Sequence, residues 1–261
     1  MEWTQKRMWM VWMVSALAVV VMASELLADD TSWEAVSAKK ELVVGFCAQY
    51  PPFESKKENG QFEGFDVDLG NAIGRELGVK VVYKDGEWQG LIAGMKKGDY
   101  DMLITCMGKN TAREQNVNFS DVYFDLTEVI VVHKDETKIS SVTDLSGKRV
   151  GAQFATSSEE VVDGMADRFR SIKKYNYTTE AFLDLKFKRI DALVCGLAYA
   201  VVQIKKDPSF KIVGEPLHST EIVMALPKNA DALTAKINGA MAKLNADGTY
   251  KRIYDTWISL D

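Results

Sequence analysis

The sequence predicts an α/β protein of two lobes, each built on a mainly parallel sheet, with two chain crossings that form a hinge. From residue 42 to residue 105 the apolar runs follow the order β-α-β-α-β, and this alternation is typical of a parallel sheet with right-handed crossovers. The pattern restarts after the turn signal Ser146-Gly147. The β-branched run at 124–133 and the β-like run at 222–226 are the predicted crossings. Such a hinged pair closes on a ligand between its lobes.

The first lobe alternates strands with helices. Continuous apolar character predicts a buried strand at 42–46, and a long loop at 47–64 follows, with Asn59-Gly60 as a hairpin-type turn. Asp66 is the predicted cap of an amphipathic helix over 66–77. The further predicted elements are a strand at 79–83, a helix at 88–97 and a strand at 101–105.

The second lobe and the C-terminal part follow the same rules. Thr156 or Ser157 is the predicted cap of a helix at 157–169, whose first turn is acidic. The other predicted strands lie at 149–152, 171–175, 191–194 and 210–213, and the other helices at 179–187, 198–206, 231–247 and 249–257. The crossings assign residues 41–131 and 224–261 to lobe 1, and residues 132–223 to lobe 2.

Residues 1–23 are predicted to be a signal peptide. A positively charged start precedes an apolar run at 8–22, which is shorter than the roughly 20 residues that span a bilayer. The small residue Ala23 ends it at a cleavage site, and Ala28 is a second candidate. An uncleaved anchor is the alternative. Residues 24–40 are polar and are predicted to be a mobile lead-in, so we expect a periplasmic mature protein.

Charge and cysteine content limit the function classes. The net charge of -5 and the lack of a basic run argue against nucleic-acid binding. Neither the two histidines nor Cys47, Cys106 and Cys195 match a metal-binding spacing, so no metal or cofactor is expected. All three cysteines follow predicted strands and are expected at or beside a cleft. A Cys47–Cys106 disulfide is one hypothesis, and three thiols packed in the core are the alternative.

Arg113 is the first candidate for ligand binding. The predicted strand at 101–105 runs into small and polar residues at 106–110 and then into a short helical segment that carries Arg113. Loops at the carboxyl ends of parallel strands hold the ligand sites of open α/β sheets. A guanidinium there offers a planar fork of donors that matches a carboxylate. The alternative is a solvated surface arginine.

A series of short motifs runs through the chain from residue 41 to residue 257, each weak alone but specific in this order and spacing. They are Tyr50-Pro-Pro-Phe53, Gly64-Phe-Asp-Val-Asp-Leu69, Trp88-Gln-Gly-Leu-Ile92, Arg113, Val117-Asn-Phe-Ser-Asp121, Tyr123, Asp144-Leu-Ser-Gly-Lys148, Val150-Gly-Ala-Gln153, Thr156-Ser-Ser-Glu-Glu160, Asp191-Ala192 and Ala246-Asp-Gly-Thr-Tyr250. With them the chain resembles the family 3 extracellular solute-binding proteins, the periplasmic receptors of amino-acid ABC importers. The resemblance implies the type II periplasmic-binding-protein fold, a monomer, a membrane permease as partner and no catalysis.

The same resemblance implies roles for residues of the cleft. Arg113 holds the ligand α-carboxylate, and Thr156 and Ser157 add donors from a helix start. Tyr50 and Trp88 enclose the ligand between aromatic rings, although simple packing is the alternative for both. The other implied cleft positions are Gln153, Ser158, Cys106, Gly108, Cys47 and Gly196.

Four cleft positions depart from the family pattern. The carboxylate that usually holds the ligand ammonium is Gly196 here, and a second acidic position is Cys47. A usual hydroxyl position is Gly108, and another small or polar one is Cys106. The residues that bind the ligand carboxylate are kept, while those that bind its ammonium are lost. We therefore expect an amino acid or a related small carboxylate bound without these acids. The alternative is that another acid replaces the lost ones, and Glu54 and Glu221 are the nearest candidates in sequence.

Two other functions fit the same pattern of lobes. One is an enzyme on this scaffold, like the periplasmic cyclohexadienyl dehydratases, which needs a poised carboxyl group or histidine. The Gly196 position supplies neither, and Cys47 and Cys106 have no histidine near them in sequence. The other is a sensory ligand-binding domain, which needs a membrane segment fused to it or on a partner.

Overall fold

Two five-stranded sheets carry the fold, and a smaller three-stranded sheet accompanies them. The computed structural model describes residues 30–258, and the chain from Ser32 onward forms one compact unit. The predicted signal peptide, residues 1–23, and both candidate cleavage sites lie outside the described residues. Within the described part, no helix combines the length and the apolar character needed to cross a membrane. The mixed α/β class with two main sheets agrees with the prediction.

The elements of the described region alternate along the chain. The strands are β1 (Glu41–Phe46), β2 (Gln49–Tyr50), β3 (Glu54–Lys56), β4 (Phe62–Glu63), β5 (Lys80–Asp85), β6 (Met102–Leu103), β7 (Val117–Phe119), β8 (Phe124–His133), β9 (Arg149–Gln153), β10 (Ser171–Tyr175), β11 (Ala192–Gly196), β12 (Phe210–Ile222) and β13 (Ala225–Pro227). The α-helices are α1 (Ser32–Lys39), α2 (Phe65–Leu77), α3 (Leu91–Lys96), α4 (Thr111–Glu114), α5 (Ser157–Asp163), α6 (Thr178–Lys186), α7 (Leu197–Lys206), α8 (Asp231–Ala246) and α9 (Thr249–Trp257).

The first sheet has the strand order β5-β1-β6-β13-β7. β1 is parallel to β5 and β6, so that Val44 pairs with Tyr83 and Met102. β1 lies inside the protein core, as the fully buried side chains of Leu42, Val44 and Phe46 show. β13 runs antiparallel to its neighbours β6 and β7. The parallel strands β1 and β6 therefore end at the same edge, where the candidate site lies.

The second sheet has the strand order β10-β9-β11-β8-β12. β9 is parallel to β10 and β11, whereas β8 is antiparallel to β11 and β12. β8 and β12 pair from Phe124 opposite Ile222 onward, so both long strands belong to this sheet over their whole length. Because β7 and β13 belong to the first sheet, the chain passes between the sheets at 120–123 and 223–224.

Three local features differ from the predictions. The predicted mobile lead-in at 24–40 contains α1, which is ordered because Val36 is buried in the core of the first sheet. The predicted loop at 47–64 contains β2, β3 and β4, whose two or three residues each are too few to show an alternating pattern. Asp66 does not cap α2. Its side chain is fully buried and accepts a hydrogen bond from the Cys106 N–H at 2.7 Å.

The predicted strand at 101–105 is shorter in the structure, because side chains replace backbone groups at both of its ends. The Asp101 carboxylate accepts a hydrogen bond from the Val43 N–H at 2.7 Å. The Thr105 hydroxyl accepts one from the Cys47 N–H at 3.0 Å. Only the two residues of β6 keep strand pairing with β1.

Two helices and one strand also have different bounds. The predicted helix at 88–97 starts as a 3₁₀ turn, Trp88–Gly90, before α3. The predicted helix at 157–169 stops before Gly164, which follows α5 as its C-cap. Strand β12 continues past the predicted end at residue 213 because it pairs with β8 on both sides of a bulge.

The apolar core is divided between the two sheets. Helices α2, α8 and α9 cover one face of the first sheet with side chains such as Leu69 and Ile237. Successive residues of β8 enter different clusters, one with Tyr199 of α7 and one with Val162 of α5, so the second sheet is covered on both faces. Tyr50 packs against the first-sheet core and also against the Tyr199 cluster, so its ring lies where the two sheets meet.

Candidate functional site

The candidate site is a small cavity between the carboxyl edges of the two sheets. The enclosed volume is ≈ 40 Å³, room for about three waters, so a larger ligand enters only when the two sides separate. The structure brings ten predicted site residues to its wall: Cys47, Tyr50, Trp88, Cys106, Gly108, Arg113, Gln153, Thr156, Ser157 and Ser158. Gly196 is not part of this wall, but it contacts Tyr50 from behind. Glu54, a candidate replacement acid from the sequence, also lines the wall. The wall residues that sequence reasoning did not assign to the cavity are Gln49, Thr105, Leu126, Tyr177 and Thr178.

Arg113 brings a positive charge to the cavity. The Asn110 side chain caps α4 by accepting a hydrogen bond from the Arg113 N–H at 2.8 Å, which fixes the start of this short helix. The guanidinium donates to the carbonyl oxygens of Gly108 and Ala155 and lies 5.5 Å from the centre of the Trp88 ring. Burial lowers the pKa of Arg113. Among residues 30–258 it forms no ion pair within 4.0 Å, although the negative charge of Glu160 acts on it and opposes the lowering of its pKa.

The hydroxyl groups at the start of α5 are already bonded inside the protein. Thr156 caps the helix by accepting a hydrogen bond from the Glu159 N–H at 3.3 Å, and its own hydroxyl donates to the Gln153 carbonyl at 2.7 Å. Ser157 and Ser158 donate to the two oxygens of Glu128 at 2.6 and 2.8 Å. The helix start therefore offers backbone N–H groups to an anion, while its serine hydroxyls present acceptor lone pairs.

Glu128 is a buried carboxylate that sequence reasoning missed. It lies in β8 directly opposite Gly196 of β11, the position where the family pattern places an acid. Residues paired across antiparallel strands have Cβ atoms about 5 Å apart. Glu128 therefore carries a carboxylate on the strand next to the one where the family pattern has it. Burial raises the pKa of Glu128, and the hydrogen bonds from Ser157 and Ser158 oppose that rise. Glu128 is the one acid within the stretch at 126–132, and this was the available sequence signal.

Two glycines of the cleft are required by their neighbours. The Gly196 N–H donates to the Tyr50 hydroxyl at 3.3 Å, and a Cβ at position 196 would lie 2.8 Å from that oxygen and 2.7 Å from Leu126 Cδ1. A Cβ at Gly108 would lie 2.8 Å from Thr220 Cγ2. The family's carboxylate and hydroxyl positions are therefore filled here by side chains from other elements.

Aromatic side chains form two walls of the site. Tyr50 stacks on Tyr199 with ring centroids 4.4 Å apart and an interplanar angle of 9°. Trp88 lies on the other wall and donates its Nε1–H to the Ala155 carbonyl at 3.1 Å. Gln153 is held in place because its amide donates to the Asn176 carbonyl and accepts from the Thr178 hydroxyl.

Hydrogen bonds across the cavity join the two sides. Besides Arg113 and Trp88, which both donate to Ala155, two polar pairs bridge the rim. These pairs are Gln89 with Asn176 at 2.9 Å and Asn110 with Glu160 at 2.6 Å. All of these contacts must break when the cavity opens.

A second acidic group lies on the first-sheet side of the cavity. Glu54 lines the wall with 1% of its surface exposed, and its Oε1 accepts a hydrogen bond from the Thr105 hydroxyl at 2.8 Å. Burial and the neighbouring Asp66 raise the pKa of Glu54 well above its usual range. Burial also raises the pKa of Asp66.

The three cysteines are free and buried. Cys47 and Cys106 line the cavity, whereas Cys195 lies in the core of the second sheet beside Gly196. The structure has no Cys47–Cys106 disulfide. Burial raises the pKa of Cys47 to about 12, so this thiol is protonated at neutral pH and is a poor nucleophile. Within residues 30–258, no three His, Cys, Asp or Glu side chains are grouped so that they could hold a metal ion.

Comparisons with known proteins agree with this architecture. The model of the bacterial extracellular solute-binding proteins, family 3, matches residues 42–260. ABC transporter arginine-binding protein 1 of Escherichia coli is 30% identical, over 85% of this chain and 92% of that protein. The L-cystine-binding protein TcyJ of Escherichia coli is 28% identical, over 95% and 94%. A solved structure of an ancestral arginine-binding protein bound to arginine has a TM-score of 0.80 at 40% identity, covering 84% of this chain and 99% of that one.

Proposed function

Because the chain belongs to the bacterial extracellular solute-binding proteins of family 3, we propose that it captures an amino acid in this cavity and delivers it to the permease of an ABC importer. The observation that carries the proposal is Arg113, whose half-buried guanidinium lies in the cavity wall and forms no ion pair among the described residues. A buried cation is stable when an anion meets it, and a ligand carboxylate supplies that anion.

The arrangement around Arg113 suits an α-carboxylate. Its guanidinium donates to Ala155, the residue just before the helix cap Thr156. When the two sides separate, a carboxylate can take the place of the Ala155 carbonyl and accept two parallel hydrogen bonds from the fork. The start of α5 lines the same cavity through Thr156, Ser157 and Ser158, and its first backbone N–H groups are the proposed further donors. The Trp88 ring lies 5.5 Å from the guanidinium carbon and attracts its positive charge.

The ligand class follows from the relatives. They include arginine-binding and cystine-binding proteins, and an ancestral arginine-binding protein has also been solved with glutamine. We therefore place an amino acid in the cavity of this chain. It acts as a binding protein without chemistry of its own, as its relatives do, and the protonated thiols in its wall support that reading.

Capture requires motion of the two sheets as lobes. The lobe boundary predicted at residue 131 falls inside β8, which belongs to the second sheet. We therefore propose the two five-stranded sheets as the two lobes, with the chain passages at 120–123 and 223–224 as the hinge. The small closed volume and the hydrogen bonds across the rim support a closed state that opens to admit ligand. The binding unit is proposed to act as a monomer.

The chain is proposed to be exported to the periplasm with its signal peptide removed. The family is one of extracellular proteins, and the charged start and apolar run at 8–22 fit a secretory signal. We expect the mature chain to begin between Ser24 and Asp29. N-terminal sequencing of the protein from an export fraction measures this, and a chain that starts at Met1 would contradict it.

A thermal-shift series tests the proposed function. The protein is screened against the twenty standard amino acids and cystine, and each hit is compared with its decarboxylated amine, such as agmatine for arginine. A ligand at 100 times its Kd stabilises the folded state by about 2.7 kcal/mol, so a true ligand raises Tm in a dose-dependent way. We expect at least one amino acid to do so and its amine to fail. If the amine stabilises the protein as much as the amino acid does, the ligand carboxylate does not bind Arg113.

A further inference from the structure

Glu54 is a buried acid at the wall of the cavity with one oxygen unused. Its Oε1 is satisfied by the Thr105 hydroxyl at 2.8 Å. Its Oε2 is buried and has no hydrogen-bond donor among the described residues. In the resting protein this oxygen shares a proton with the neighbouring Asp66 carboxyl group. Once that proton leaves, Oε2 is a buried carboxylate oxygen without a donor, which is unfavourable, and a donor that enters the cavity relieves it. Arg113, the cation of the same wall, donates elsewhere, to Gly108 and Ala155.

A second carboxyl group, Asp66, lies behind Glu54. Asp66 Oδ2 accepts hydrogen bonds from the Cys106 N–H at 2.7 Å and the Tyr123 hydroxyl at 3.1 Å, while its Oδ1 also lacks a donor. Two buried carboxyl groups in contact cannot both ionise at low cost, so a proton is held between them. The Cys106 N–H and the Tyr123 hydroxyl stabilise the negative charge on Asp66, so the shared proton stays on Glu54.

The groups around Glu54 increase its preference for a cation. Asp66 on α2 and Asp85 at the end of β5 are the charges that act on it most strongly, and both are negative. Cys47 and Cys106, on either side in the wall, hold protonated thiols because burial raises the pKa of both. An ammonium group that reaches Glu54 therefore meets a site with an excess of negative charge.

Given the proposed amino-acid ligand, we infer that Glu54 binds the ligand ammonium and releases its proton to solvent when the ligand enters. Before binding, the Glu54 carboxyl group donates its proton toward Asp66. After binding, Glu54 is ionised, its Oε2 accepts an N–H from the ammonium, and one proton has left the pair. The residue that binds the ammonium therefore lies on β3. It is not at Cys47 or Gly196, the uncharged positions where the family pattern has acids.

Glu128, the other buried acid near the site, does not fit this role. Both of its oxygens accept hydrogen bonds, from Ser157 and Ser158, and it lies behind them outside the cavity wall. Glu221 does not fit it either, because its side chain is 56% exposed and 3.6 Å from Lys109. Glu221 is therefore the matched control for a carboxylate-to-amide change near the cleft.

Calorimetric titration of Glu54→Gln tests the assignment. The probes are L-glutamine with its des-amino analogue glutaramate, and L-arginine with 5-guanidinopentanoate. For each amino acid that binds wild type, we expect it to bind better than its des-amino analogue. In E54Q this preference should fall by at least about 30-fold, since a buried pair between opposite charges becomes a neutral contact. E221Q should retain the wild-type preference.

The proton gives a second readout that needs no variant. Below the pKa of the pair the ammonium competes with a bound proton, so wild-type affinity should rise with pH, by up to about tenfold per unit. Titrations between pH 5.5 and 7.5 in buffers of different ionisation heat should show about one proton released, and E54Q should show neither effect.

The outcomes separate the two proposals. Retained preference in E54Q together with pH-independent wild-type binding would overturn the role of Glu54 and leave amino-acid capture in place. Equal losses of L-arginine and 5-guanidinopentanoate in E54Q would place the guanidinium, not the ammonium, at Glu54 and overturn the assignment as stated. If none of the four probes binds wild type, amino-acid capture fails for these ligands and the Glu54 assignment fails with it.

Discussion

Replacing Arg113 by alanine is the sharpest perturbation of the site. The Asn110 side chain fixes the Arg113 backbone through the helix cap, and the guanidinium is held by two carbonyl acceptors and by the face of Trp88. In the complex, its removal leaves a ligand carboxylate buried without its cation. Losing one partner of a buried pair costs about 3–5 kcal/mol. At about 1.4 kcal/mol per decade this lowers affinity at least about 100-fold.

The same change should have a smaller effect on folding. Without ligand, Arg113 contributes two hydrogen bonds to neutral carbonyls, and alanine also removes the cost of burying a charge. We expect the free energy of unfolding to fall by no more than about 2 kcal/mol. Arg113→Lys keeps the charge but loses the planar fork, so its affinity should lie between wild type and alanine.

Isothermal titration with the amino acid found in the thermal-shift series measures these effects, and urea denaturation measures stability. The control is Lys109→Ala, which removes a positive charge near the rim from a side chain that is 42% exposed and weakly paired with Glu221. A surface pair of this kind contributes about 0–1 kcal/mol, so K109A should bind nearly as wild type does. If folded R113A binds with wild-type affinity, the carboxylate does not meet Arg113.

Two further predictions concern stability. Gly196→Ala should lower the free energy of unfolding by about 1–3 kcal/mol, because the new methyl group would lie 2.8 Å from the Tyr50 hydroxyl; unchanged urea denaturation would show that Tyr50 moves aside freely. Hydrogen bonds from Lys173 and other donors hold the pKa of Asp184 at about 2, below its usual 3.8. Asp184→Asn should therefore cost about 1–2 kcal/mol at pH 7, a difference that is full above pH 4 and lost as pH falls through 2; a difference independent of pH would contradict it.

The fold followed from the sequence where one local signal dominated. Residues 42–46 of strand β1 are continuously apolar and mostly buried, and α2 ends at Gly78, whose positive φ of 68° suits glycine. The strand at 101–105 was too long in the prediction, since no sequence pattern shows that the side chains of Asp101 and Thr105 replace backbone groups. Such contacts arise between segments that are far apart in the chain.

The site shows the same division. Arg113, Trp88 and the start of α5 lie on loops whose place follows from strand order, and they meet in the cavity as expected. Glu128 could not be assigned, because its position opposite Gly196 depends on the register between β8 and β11. The burial of Glu54 against Asp66 likewise depends on how the loop at 47–64 folds over α2.

One measurement tests the central claim most directly. The protein is purified under native conditions without added ligand, weighed intact by native mass spectrometry, then denatured so that any released molecule can be identified. The proposed function predicts an α-amino acid, with one carboxylate for Arg113 and one ammonium for Glu54, present in wild type and lost in R113A. A bound molecule without a carboxylate, or one retained by folded R113A, would contradict the claim.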